Sequence, residues 1–147
     1  VYKILKRRAL NENIVLMEVE APYIARKAKA GQFIIYRVDE RGERVPLTIA
    51  DHDAEKGSIT IIFQTIGGST QKLAQLKEGD SILDVVGPLG TATEYGDAKR
   101  VAVVGGGVGC AIAFPQAKAL FESGAEVDLI AGFRDKSLII LEEEMKA

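Results

Sequence analysis

The 147-residue chain has one cysteine, one histidine, two methionines and no tryptophan. A single cysteine excludes an intramolecular disulfide. It also excludes a structural zinc site, or an iron–sulfur cluster, built from several thiolates of this chain. So low a cysteine content fits a reducing cytoplasm. There is no excess of charge of either sign: 19 basic residues stand against 21 acidic ones. That balance leaves no electrostatic footprint for nucleic acid or an anionic membrane. Apolar runs such as residues 101–104 and 139–141 fall far short of the roughly 20 residues of a membrane-spanning helix. The first ten residues carry four basic side chains but no apolar stretch long enough for a signal peptide.

What remains is the composition of an ordinary globular protein, 47% apolar and 27% charged. Length alone predicts one domain. The pattern along the chain predicts two. Residues 13–20, 32–38, 58–66 and 80–86 are short apolar or β-branched runs separated by Gly, Pro, Asp and Asn. This grammar predicts an antiparallel β-barrel or sandwich. Asp39–Gly42 and Asp53–Gly57 read as hairpin connections, each with a glycine free to take positive φ. Residues 68–77 read as a helix, with Ser69 or Thr70 as its N-cap.

After Tyr95-Gly96-Asp97 the pattern changes. Residues 100–104 read as a buried strand, 110–122 as an Ala-rich helix stopped by Ser123-Gly124, 127–131 as a second strand, and 138–146 as the start of another helix. Alternating strand and helix begins a doubly wound parallel sheet. The expected division is therefore a barrel over residues 1–97 and part of an α/β nucleotide-binding domain over residues 98–147. An unfinished sheet exposes a strand edge, so a homo-oligomer is an expectation too.

Three segments carry the chemistry. Gly105-Gly106-Gly107-Val108-Gly109 lies between strand and helix. Glycines there let backbone approach a pyrophosphate, and the helix start offers N–H groups to it. The third fingerprint glycine falls on Cys110, and no acid ends the second strand; Arg134 follows it instead, which suits a 2′-phosphate and favours NADP over NAD. A ligand-free turn is the alternative. In Arg44-Val45-Pro46-Leu47-Thr48, Pro46 interrupts ladder pairing, while Arg44 and Thr48 offer donors; an edge strand with a solvent Arg is the alternative. Gly67-Gly68-Ser69-Thr70 at a helix start reads equally as an anion site or an ordinary cap. Pro115 is expected to disturb the ladder of its helix unless it lies close to the first turn. Cys110 reads as a small buried apolar residue, His52 as a turn residue, and Tyr36 and Tyr95 as packing residues able to stack on a flavin or adenine.

Arg-x-Pro-x-Thr, then Gly-Gly-Ser-Thr, then Gly87-Pro88-Leu89-Gly90, then the strand with its glycine loop, together resemble the ferredoxin–NADP reductase superfamily. Within it the chain is most similar to the electron-transfer subunits of dihydroorotate dehydrogenase and the alpha subunit of NADH-dependent ferredoxin:NADP oxidoreductase. The resemblance implies an FAD-binding antiparallel barrel followed by an NAD(P)-binding α/β domain. It implies that Arg44, Pro46, Leu47 and Thr48 hold the flavin ring and phosphates, and that Phe63, Gln64 and Thr65 support its ribityl and adenine side. Gly67, Gly68, Ser69 and Thr70 match the pyrophosphate loop, and Gly105, Gly106, Gly107 and Gly109 the nicotinamide nucleotide's loop. The family's aromatic–serine pair is replaced here by Leu47-Thr48. The resemblance further implies hydride transfer between NAD(P)H and FAD, then single electrons onward to a catalytic partner subunit or iron–sulfur protein. A [2Fe–2S] cluster is expected only in a longer form of the subunit. A non-enzymatic nucleotide-binding or assembly module is the alternative function.

Overall fold

The computed structural model describes residues 1–147. Strands β1 (Tyr2–Ala9), β2 (Ile14–Glu20), β3 (Phe33–Arg37), β4 (Val45–Asp53), β5 (Ser58–Gln64), β6 (Ser81–Ile82) and β7 (Asp84–Leu89) form one antiparallel sheet in the order β6-β1-β2-β5-β4-β3-β7. Its two edge strands are consecutive in sequence and separated only by Leu83, so the sheet curls into a nearly closed barrel. Successive strand residues point to opposite faces. Val15, Met17 and Val19 of β2 and Ile59, Ile61 and Phe63 of β5 therefore share the interior. Two short helices complete that core: α1 (Pro22–Lys27) contributes Ile24 and Ala25, and α2 (Gly68–Ala74) contributes Leu73.

The intervening residues Ile14, Leu16, Ala50 and Ile62 face outward, yet they are buried as well. They pack against Cys110 and Ala111 of α3 (Cys110–Glu122), and against Ile140 and Leu141. This second cluster explains why residues 14–17 are an unbroken apolar run rather than an alternating one. The covering unit is a two-stranded parallel sheet, β8 (Arg100–Gly106) beside β9 (Glu126–Gly132), with α3 between them and α4 (Glu142–Lys146) at the end. Polar pairs rim the contact: Lys118 with Asp51 at 2.7 Å, and Arg8 with Glu144 at 2.7 Å. No helix is long and apolar enough to cross a membrane.

Several expectations need correction. The strand expected over residues 80–86 is two, because at Leu83 the chain leaves β1 and joins β3. Gly57 has φ +71, but Gly42 closes its hairpin without positive φ. Gly67, at φ +83, caps α2, and neither Ser69 nor Thr70 does. Pro115 does not end α3, which runs on through it to Glu122. The last helix starts at Glu142 and not at residue 138, because the Asp135 carboxylate accepts from the Ser137 N–H and caps a separate 3₁₀ turn, Lys136–Leu138.

Candidate functional site

The site is prepared by a break in the barrel. β4 and β5 pair from Ile49↔Ile61 to Asp53↔Ser58, and there the ladder stops. Towards the barrel mouth, Val45–Thr48 pair only with β3, and Ile62–Gln64 pair only with β2. Both strands thus present a side without a ladder partner, and such backbone groups need water or a ligand. Pro46 lies in this splayed part of β4, where its missing N–H costs no bond to β5. Arg44 stands exposed just before it, without an ion pair. Pro46 is exposed, and Leu47 and Thr48 are half-buried.

On β5, Phe63 points into the barrel core at 2% exposure, so only its backbone is left for a ligand. Thr65 is tied down: its N–H and hydroxyl both donate to the Asn13 carbonyl, at 2.8 and 3.2 Å. Gln64, between them, is half-buried and lines a cleft of about 820 Å³. The opposite wall of this cleft is the glycine segment, through Gly106, Gly107 and Val108, with Gly132 and Arg134 from the end of β9. The fold therefore brings Gln64, Gly106, Gly107 and Arg134 to one cavity. Arg44, Pro46, Leu47 and Thr48 do not line it, and neither do Gly67–Thr70.

The glycines of the segment serve different ends. A methyl on Gly105 would meet the Cys110 Cα and Sγ and the Ala113 Cβ, all at 3.1 Å. Gly105 is therefore required for α3 to lie close on β8. Gly107 takes φ +55 to turn the chain into its 3₁₀ turn, Gly107–Gly109. Around Gly106, Gly107 and Gly109 nothing lies within 4 Å of where a Cβ would stand, so bare backbone faces open space. Cys110 is buried, and desolvation pushes its thiol pKa up, as expected of a packing residue. Beside the cleft, hydrogen bonds from Ser137 hold the Asp135 carboxyl below its usual range.

Of Gly67-Gly68-Ser69-Thr70, Gly68 and Ser69 line a second, separate concavity. Thr70 turns its hydroxyl back on the loop, donating to the Ile66 carbonyl at 2.7 Å. Ser69 donates to a Glu43 carboxylate oxygen at 2.6 Å. No atom lies within 4 Å of a Cβ on Gly67 or Gly68. A hydroxyl, Lys72 and the Glu43 carboxylate stand beside this open loop. Tyr36 lies beneath, 1% exposed, its hydroxyl without a hydrogen-bond partner and its pKa pushed up to about 12 by burial and by Glu43. Tyr95 instead bonds to Gln116 of α3. His52 lies on β4, exposed.

Sequence reasoning missed Asn11, Asn13, Phe133 and Leu138 in the cleft wall, Glu43 beside α2 and Lys72 on it. Only the cluster of polar residues in the loop after β1 hints at the first pair.

No family model matches the chain. It is 40% identical over 144 residues to a Thermotoga maritima protein named as a dihydroorotate dehydrogenase B (NAD(+)) electron transfer subunit homolog, covering 98% of this chain and 51% of that one. It is 49% identical over 151 residues to a Clostridium beijerinckii protein described by its position in the adh 3′ region, again 98% of this chain and 51% of the other. Among solved structures, an NADH-dependent reduced ferredoxin-NADP oxidoreductase, described in the context of flavin-based electron bifurcation, superposes with a TM-score of 0.93 at 40% identity, over 97% of this chain and 52% of that one. The chain spans about half the length of the curated relatives it matches. With its nearly closed barrel and its following parallel sheet, the chain has the ferredoxin reductase-like fold, and over nearly all of its length it is similar to dihydroorotate dehydrogenase B electron transfer subunits.

Proposed function

We propose that this chain is the flavin-binding part of an NAD(P)H oxidoreductase that passes electrons to a partner subunit. The observation that carries the reading is the splay of β4 from β5 at Arg44–Thr48, on the barrel whose Gln64 shares a cleft with the glycine segment. Bound FAD would supply two-electron exchange with a nicotinamide and one-electron delivery to an iron–sulfur partner. The protein's own task is placement. The sides of Val45–Thr48 and Ile62–Phe63 that lack a ladder partner would offer backbone hydrogen bonds to a flavin held between them. Arg44 neutralises phosphate with a guanidinium free of other partners. Gly67–Thr70 accommodates the pyrophosphate, and Gly106 and Gly107 present bare N–H groups to a nicotinamide nucleotide across the cleft from Gln64. Arg134 lines the same cleft, and a guanidinium there would suit a 2′-phosphate. No acid–base group is required. The electron acceptor is an iron–sulfur centre outside these residues, whose single cysteine cannot supply a cluster's four thiolates.

The test is anaerobic mixing of the FAD-loaded protein with NADH or NADPH while flavin absorbance near 450 nm is followed. Bleaching is expected, and the faster nucleotide identifies the physiological donor. FAD binding without bleaching by either would support the nucleotide-binding or assembly module instead. Absence of FAD binding would remove the reading.

A further inference from the structure

The loop joining β3 to β4 is fastened to α2 at two points. Glu43 accepts the Ser69 hydroxyl at 2.6 Å, and Asp39 pairs with Lys72. Ser69 and Lys72 are three residues apart, so they share one helix face. Both donors of that face are thus engaged by carboxylates of one hairpin loop. Beneath the loop lies a concavity of about 230 Å³, also lined by Arg41 and Gly68. Its inner wall includes Tyr36, whose buried hydroxyl has no partner. Buried hydroxyls are nearly always paired. A carboxylate on a serine hydroxyl, cations beside it and an unpaired donor below form the pattern of an anion site held by an internal anion.

We propose that Glu43 is a built-in competitor for the phosphate-binding face of α2, and that its displacement sets the affinity of the barrel for FAD. This rests on the flavin reading above. The carboxylate keeps Ser69 oriented in the absence of ligand. When an anionic phosphate arrives, the like charge of Glu43 must move away, and the Ser69 proton turns to the new acceptor. Glu43 is exposed and belongs to a loop, so the exchange needs no movement of the barrel core. The effect on affinity is a coupling between two ligands of one donor, one of them covalently tethered.

The test is titration of FAD into the flavin-free protein, followed by flavin fluorescence, for the parent, Glu43→Gln and Glu43→Ala, each also in a Ser69→Ala background. Both Glu43 variants are expected to bind FAD on the order of tenfold more tightly than the parent. The gain should shrink to within about twofold once Ser69 is alanine, as a shared donor requires. Equal or weaker binding by both Glu43 variants, with a parent that does bind FAD, would overturn the proposal and leave the flavin reading intact. A structural role for Glu43 predicts that weaker binding, and a lower unfolding midpoint with it. Failure of every variant and the parent to bind FAD would overturn the flavin reading, and this proposal with it.

Discussion

Replacing Gly106 by alanine should move folding stability and nucleotide affinity in opposite directions. Gly106 lies at the end of β8 with φ −127 and ψ 131, a conformation open to any L-residue. Nothing lies within 4 Å of the position its Cβ would take. The substitution therefore introduces neither strain nor clash, and it restricts the unfolded chain. Glycine-to-alanine changes at such compatible sites stabilise by about 0.4–1 kcal/mol. For a protein of this size that raises the unfolding midpoint by roughly 1–4 °C. The same methyl would stand in the cleft that Gly106 shares with Gly107 and Arg134. A pyrophosphate resting on that backbone would be pushed away, with an affinity loss of at least about tenfold, or about 1.4 kcal/mol. Differential scanning fluorimetry measures the first effect, and calorimetric titration with NADH and NADPH the second. Unchanged affinity for both nucleotides in a stabilised Gly106→Ala protein would refute the assignment of the glycine segment. The neighbouring Gly105→Ala is the control, since its methyl meets Cys110 and Ala113 at 3.1 Å and has to displace α3.

Gly105→Ala should lower stability by about 1–3 kcal/mol in urea unfolding, the usual cost of overpacking. Arg44→Ala removes an exposed side chain without an ion pair, so stability should hold within about 0.5 kcal/mol. Retention of FAD through gel filtration should nevertheless fall, because a charge-assisted contact to phosphate is lost. Tyr36 gives a pH signature: its folded pKa of about 12 lies above the ordinary 10.0, so its contribution is complete below pH 10 and lost as pH rises through 12. Urea midpoints measured between pH 9 and 12 should fall more steeply for the parent than for Tyr36→Phe. That variant should also gain up to about 1 kcal/mol near neutrality by removing an unpaired hydroxyl.

The parts of the fold that were legible are those in which side-chain pattern and secondary structure agree. β2, β3 and β5 are dense in apolar and β-branched residues, and the Gly-bounded strand, helix and strand after residue 98 carry the alternation of a parallel α/β unit. β1 escaped notice because Ile4 is its only buried residue and basic side chains fill most of the rest. Its pairing with β2 is a backbone property that composition does not express. α1 is six residues long, too short to show a helical period, and is announced only by Pro22 at its start. At the site, the ordered motifs marked the segments but not their grouping. Pro46 signalled an interrupted ladder, yet the separation of β4 from β5 depends on where β3 and β2 hold them. Asn13 could not be tied to Thr65, nor Asn11 to Leu138, because those contacts join positions 52 and 127 residues apart.

β5 carries three duties on consecutive residues. Ile62 faces the unit of β8, α3 and β9, Phe63 the barrel interior, and Gln64 the cleft. Because a strand exposes alternate sides, adding or deleting one residue near its middle would exchange these duties at once. The phenylalanine would be turned out of the barrel, the isoleucine would enter it, and the glutamine would leave the cavity. Point substitutions can be absorbed here one at a time, but changes in length cannot. The lineage of this protein is therefore expected to tolerate insertions at the Asp53–Gly57 hairpin, which is exposed almost throughout, while keeping the spacing from Ile59 to Gly67 fixed.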